Sequence, residues 1–202
     1  IEAVGTNTVG FLGESAKELY VFQRTPSSVD VRGNRPTDPA WAQSLQPGWQ
    51  KNRMDNFNIL VTGGFQEEDL VSDGWTDIIR KLLVMAQQDQ GASLAANGIE
   101  KTLELADFEK MEQIRSRVET IVNDPNTAEA LKPWYRQFCK RPCFHDDYLD
   151  TFNRPNVHLV DIQETPIERI TPTGIRTSER DYDFDIIVYA TGFVAITGSY
   201  DR

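Results

Sequence analysis

Residues 1–26 constrain the fold more than any other stretch, because they carry an alternation of elements that a parallel sheet accommodates. Ile1-Glu2-Ala3-Val4 reads as a short apolar strand and Gly5-Thr6-Asn7-Thr8-Val9-Gly10 as a turn. Glu14-Ser15-Ala16-Lys17-Glu18 then reads as a short helix and Leu19-Tyr20-Val21-Phe22 as a second, buried strand. Strand, helix, strand is a βαβ unit, and it predicts an α/β fold.

The second strand runs into Gln23-Arg24-Thr25-Pro26. A guanidinium followed by a hydroxyl at the carboxyl end of such a strand suits the 2′-phosphate of NADP, which needs a planar multi-donor charge with a short donor beside it. The pattern points to NADPH. Gly5, Thr6 and Gly10 occupy the place of a dinucleotide G-x-G-x-x-G turn, with Asn7 where the middle glycine would let the backbone approach the diphosphate. An ordinary strand-to-helix turn is the alternative there.

Beyond Pro26 the chain is turn-rich through Pro39, then changes character. Asp38-Pro39 is a helix start, followed by Trp41, Leu45 and Trp49 at helical spacing. Ser72-Asp73 precedes Trp75, Ile78, Ile79, Leu82 and Leu83, and a third helix carries Leu105, Phe108, Met111, Ile114 and Val118. These residues predict a helical subdomain over 38–135, inserted into an α/β domain made of 1–37 and 136–202. The apolar stripe is expected to be core rather than substrate pocket. After Pro133 short strands return. Asp146 to Leu149 suggests a helical turn, Asn156 to Asp161 a strand, and Ile167–Ile170 with Ile175–Thr177 a hairpin turning at Pro172-Thr173-Gly174. Asp185-Ile186-Ile187-Val188-Tyr189-Ala190-Thr191-Gly192 is a continuous apolar run, which predicts a strand covered on both faces.

With 31 acidic against 21 basic residues the net charge is −10, which disfavours a nucleic-acid surface. No stretch reaches the roughly 20 apolar residues of a membrane span, and no secretory signal pattern opens the chain. A cytoplasmic protein is the expectation. Cys139 and Cys143 with His145 give C-x3-C-x-H. A four-ligand metal site would need His158 or a carboxylate to complete it, so ordinary thiols in a reducing compartment are expected and no metal.

Taken together, Val21-Phe22-Gln23-Arg24-Thr25-Pro26, Lys140-Arg141-Pro142, Phe152-Asn153-Arg154-Pro155-Asn156-Val157-His158-Leu159-Val160-Asp161 and Ala190-Thr191-Gly192-Phe193 appear in an order that resembles the Baeyer–Villiger class of flavin-containing monooxygenases. In that family an FAD domain and an NADPH domain, both Rossmann-like, share a cleft in which one atom of dioxygen is inserted beside a ketone. The resemblance implies that this chain is the NADPH domain with its helical insertion. Arg24 and Thr25 match the 2′-phosphate contacts and Lys140 a second cation near that phosphate. Arg141 matches the active-site arginine that stabilises the flavin peroxide anion and holds the nicotinamide. Such a role suits guanidinium, which keeps its proton. From the residues alone, a surface ion pair of Arg141 with Asp146 or Asp147 is the alternative. Thr191 and Gly192 match the strand end where the family's chain returns to the FAD domain; Val194 stands where the family often has Asp.

The family's flavin-binding segments have no counterpart in these residues, and the span from Gly5 to Val21 is several residues shorter than the family's turn plus helix. The chain reads as cut from something larger, with FAD not expected on it alone and ketone oxidation expected only in the intact enzyme. A second reading is a non-catalytic remnant that binds a partner protein, a flavin-binding domain or a second copy through an exposed apolar face. A small stand-alone NADP-dependent reductase is disfavoured, because no Tyr-x-x-x-Lys arrangement is present.

Overall fold

The computed structural model describes residues 3–88 and 96–191. Its elements in chain order are α1 (Ala3–Ser15), β1 (Leu19–Gln23), β2 (Val29–Asp30), α2 (Pro39–Ser44), α3 (Trp49–Val61), α4 (Gly74–Gln88), α5 (Ala96–Ile121), α6 (Pro125–Leu131), β3 (Cys143–Phe144), α7 (Tyr148–Thr151), β4 (Val157–Asp161), β5 (Ile167–Thr171), β6 (Gly174–Thr177) and β7 (Asp181–Asp183). A 3-10 turn, Gln137–Cys139, leads into β3.

Two parallel pairs form the centre: β1 with β4, in register from Leu19 opposite Val157 to Gln23 opposite Asp161, and β2 with β3, Val29 opposite Cys143. Both pairs join segments more than 100 residues apart, so everything between β2 and β3 is an excursion that must return to the same place. The hairpin β5–β6 turns where expected and gains a third antiparallel strand, β7. Gly174 is obligatory in it, since an added Cβ would lie 1.9 Å from the Tyr182 carbonyl oxygen. Alternation along β1 sends Val21 and Gln23 inward and leaves Tyr20 and Phe22 on the other face. There both rings meet Tyr182 edge-on, at 5.3 and 5.2 Å, and this contact docks the antiparallel sheet onto the parallel pair.

One core cluster joins α1, β1, β2, α5, α6, β3, α7 and β4 through Val9, Val21, Val29, Val118, Leu131, Cys143, Leu149 and Val157, among others. The long helix α5 contributes Met111, Ile114 and Val118, each 2% exposed or less, at positions i, i+3 and i+7. The stripe expected to be core divides along its length, because Leu105 and Phe108 on the same helix are more than half exposed.

Two expectations are overturned. Residues 3–15 form one helix, so Ala3 and Val4 are not strand, and Gly5, Thr6 and Gly10 are not a strand-to-helix turn. Local propensity disfavours this helix, yet Thr6, Val9 and Gly13 recur on one buried face, and packing outweighs propensity. Gly13 lets α1 approach α7 closely; a Cβ there would sit 2.5 Å from Thr151 Cγ2. Secondly, Asp185 to Thr191 is not a strand, and Ile186, Val188 and Tyr189 are exposed. A strand requires a ladder partner, and none pairs with this segment among the described residues. The expected helix through Trp41, Leu45 and Trp49 is two helices, broken at Pro47 and at Gly48, whose φ of 90° only glycine adopts easily. Trp41 and Trp49 still meet edge-on, at 6.1 Å.

Candidate functional site

Register places the sequence-derived cations. Because β2 and β3 run parallel, the segments preceding them, Arg24 to Ser28 and Lys140 to Pro142, approach from the same end. Tyr135 ties the two together. Its hydroxyl donates to the Pro26 carbonyl oxygen (3.0 Å) and accepts from the Ser28 backbone N–H (2.9 Å), while the Lys140 Nζ lies 5.5 Å from the centre of its ring. Burial pushes the Tyr135 phenol up from its ordinary value, which keeps the donor proton in place. On the other flank, the Gln163 side-chain amide donates to the Arg24 carbonyl, so the Arg24-Thr25-Pro26 turn is held at both ends.

Arg24, Lys140 and Arg141 are exposed and Thr25 is half-buried. None of the three cations is ion-paired among the described residues, in a chain of net charge −10. The alternative pairing of Arg141 with Asp146 is not formed. The Asp146 carboxylate instead accepts from the backbone N–H groups of Arg32, Gly33 and Asn34 at 3.0, 3.0 and 2.8 Å, around Gly33 at φ 66°. Those bonds, that from Asn34 foremost, hold its carboxyl below the usual range. Unpaired positive charges on converging strand ends can take an anionic group such as a phosphate.

A second set of contacts fixes the same strands from the helical side. Arg117 of α5, half-buried, donates to the carbonyl oxygens of Val29 (3.0 Å), His145 (3.2 Å) and Asp146 (3.2 Å). Lys110 pairs with Asp30. His145 Nδ1 accepts from the backbone N–H groups of Asp147 and Tyr148, capping α7. No residue type or spacing singled out Tyr135, Arg117 or Gln163. The nearest signal was Pro133-Trp134-Tyr135, an aromatic pair just ahead of the basic Lys140-Arg141.

The remaining sequence-derived site residues stand apart from these cations. Gly5, Thr6 and Gly10 lie in α1, where Gly10 packs close to the His145 ring and both line a cleft of about 300 Å³ together with Asn7, Glu14 and Arg154. A larger cleft of about 470 Å³, around Asn52, Asn56 and Phe65, belongs to helix α3 and the loop that follows it. Neither is lined by Arg24, Thr25, Lys140 or Arg141. Thr191 is exposed, and Gly192 lies outside the described residues. Cys139 is exposed and Cys143 buried, neither in a disulfide among the described residues, and no cluster of three potential metal ligands occurs among them. No helix there is long and apolar enough to cross a membrane.

The chain is 54% identical over 191 residues to neopentalenolactone D synthase of Streptomyces avermitilis, covering 95% of this chain and 32% of that protein. It is 52% identical over 193 residues to Baeyer–Villiger monooxygenase ATR8 of Stachybotrys chlorohalonatus, covering 95% and 31%. Its homologues are Baeyer–Villiger monooxygenases. Among solved structures, a polycyclic ketone monooxygenase from Thermothelomyces thermophila matches with a TM-score of 0.76 and 40% identity, over 95% of this chain and 32% of that one. OTEMO in complex with FAD and NADP matches with a TM-score of 0.70 and 29% identity, over 100% and 38%. No family model matches. The chain spans about a third of the length of the curated relatives it matches. FAD and NADP are thus cofactors found with the Baeyer–Villiger relatives' fold.

Proposed function

We propose that this chain is the NADPH-binding portion of a flavin-dependent Baeyer–Villiger monooxygenase that oxygenates ketones with FAD, NADPH and dioxygen. In this reading residues 1–37 and 136–202 are a Rossmann-like nucleotide-binding unit, with 38–135 inserted. The observation that carries it is the tie through Tyr135, which brings Lys140 to the Arg24-Thr25-Pro26 turn while both cations remain unpaired. Likeness to enzymes that act with FAD and NADP supports the same assignment.

The donor set fits a 2′-phosphate: Arg24 offers a planar fork, Thr25 a hydroxyl and Lys140 a mobile point charge. NADPH, when bound, supplies the hydride for flavin reduction. Arg141, exposed just ahead of β3, carries a charge that it keeps at any working pH, as a group facing developing negative charge must. A diphosphate turn at Gly5 to Gly10 does not fit, because those residues are helix, and no role in cofactor binding is assigned to Gly5, Thr6 or Gly10. Ketone chemistry belongs to the complete enzyme and not to these residues alone.

The test is calorimetric titration of NADPH and NADH into the protein and its Arg24→Ala and Lys140→Ala variants. A charge-assisted phosphate contact contributes about 1.5 to 3 kcal/mol, so Arg24→Ala should weaken NADPH about tenfold or more and leave NADH nearly unchanged. Lys140→Ala should act in the same direction. Retention of the full NADPH preference by both variants would overturn the assignment.

A further inference from the structure

From the geometry we infer that Tyr135 is a positioning residue for cofactor choice, which sets the separation of the two cations that read the 2′-phosphate. The inference rests on the NADPH assignment above and goes beyond it by naming a residue that need not touch the cofactor.

Arg24 and Lys140 lie 116 positions apart in sequence, just beyond β1 and just ahead of β3, and their exposed side chains make no ion pair among the described residues. Long cationic side chains rarely hold one geometry unaided, because fixing them costs side-chain entropy. Something must fix the backbone from which each projects. On the Arg24 side, Tyr135 spends both capacities of its hydroxyl on the turn, donating to Pro26 and accepting from Ser28. On the Lys140 side, the face of the same ring meets the ammonium. One rigid aromatic side chain therefore spans both halves of the phosphate site. Tyr135 is itself anchored, since Pro133 just before it is buried and the Gln137 backbone N–H just after it donates to Asp107.

The decisive variant is Tyr135→Phe, which keeps the ring beneath Lys140 and deletes the hydroxyl that grips the turn. NADPH and NADH affinities are measured by calorimetry for the protein, Tyr135→Phe, Lys140→Ala and the double variant. The expected result is a loss of NADPH affinity of roughly three- to tenfold in Tyr135→Phe, with NADH affinity unchanged, as for the loss of one or two neutral hydrogen bonds. The double variant should lose less than the product of the two single losses, because both act on one phosphate. Wild-type discrimination between NADPH and NADH combined with full retention of it in Tyr135→Phe would sink the inference and leave the NADPH assignment standing. An equal loss of both cofactors, or loss of the fold, would reduce Tyr135 to a structural residue and overturn the inference in the same way. A wild-type protein that does not discriminate would overturn the assignment and the inference together.

Discussion

The two ends of the helical excursion between β2 and β3 differ sharply in what they bury. At its far end, α2 has no buried residue and α3 buries only Asn56, whose amide is spent on the Glu68 carbonyl and the Leu70 N–H. Trp41, Met54 and Phe65 are exposed there. At its near end, the last turns of α5, the link after it and α6 supply Val118, Val122, Ala128 and Leu131 to the same core as Val21 of β1 and Val29 of β2. The excursion is thus continuous in sequence but not in energetics. Its returning limb is part of the parallel-strand core, whereas α2 and α3 of its outgoing limb bury no apolar side chain, α2 being capped locally by Asp38 on Ala40.

The largest effect should come from Leu131→Ala in the near limb. Leu131 is 2% exposed in the shared core, so truncation should lower unfolding free energy by about 2 to 5 kcal/mol in urea denaturation. A loss below about 1 kcal/mol would mean that α6 is not part of the core. An intermediate and local effect is expected from acid on the loop that departs toward the far limb. Asp146 grips that loop, and its folded carboxyl titrates below the unfolded value of about 3.9. A depressed carboxylate adds stability that is present above the unfolded value and is lost as pH falls through the folded one. Hydrogen exchange at Arg32, Gly33 and Asn34 should therefore accelerate below about pH 4, and Asp146→Asn should show weaker protection of those amides already at neutral pH. Protection that is flat from pH 7 to 3 would break the argument. The smallest effect is expected in the far limb: Phe65→Ser, at a side chain 83% exposed, should shift unfolding free energy by no more than about 0.5 kcal/mol. A larger shift would erase the contrast between the limbs.

Much of the element pattern was legible in the sequence, the contrast between the limbs was not, and the failures have physical causes. Strong local signals held. Asp38-Pro39 and Ser72-Asp73 start helices, Val157 to Asp161 is a strand, and Gly174 turns a hairpin. Met111, Ile114 and Val118 are core, but periodicity cannot tell that Leu105 and Phe108 on the same stripe face outward, since that depends on where the neighbouring elements stop. Residues 3–15 failed because a G-x4-G spacing has the same letters whether glycine serves a turn or a close helix contact, and only the packing partners decide, His145 against Gly10 and Thr151 against the neighbouring Gly13. Asp185 to Ala190 failed because an apolar run states a preference for being covered without supplying the cover. Arg24, Thr25, Lys140 and Arg141 were singled out in the sequence by their side-chain chemistry. Tyr135 and Arg117 were not, because a phenol and a guanidinium that bond to backbone carbonyls leave no pattern in side-chain identities.

Arg117 gives the molecule an order of coming apart. Acid removes the acceptor charge from Asp146 and frees the loop at Arg32 to Asn34, but it cannot touch a guanidinium whose partners are the carbonyl oxygens of Val29, His145 and Asp146. That clamp lowers the Arg117 pKa through burial, yet from so high a starting value that the proton stays at any pH the fold experiences. The helix α5 therefore keeps this fastening to β2 and to the His145-Asp146 segment after the neighbouring loop has let go.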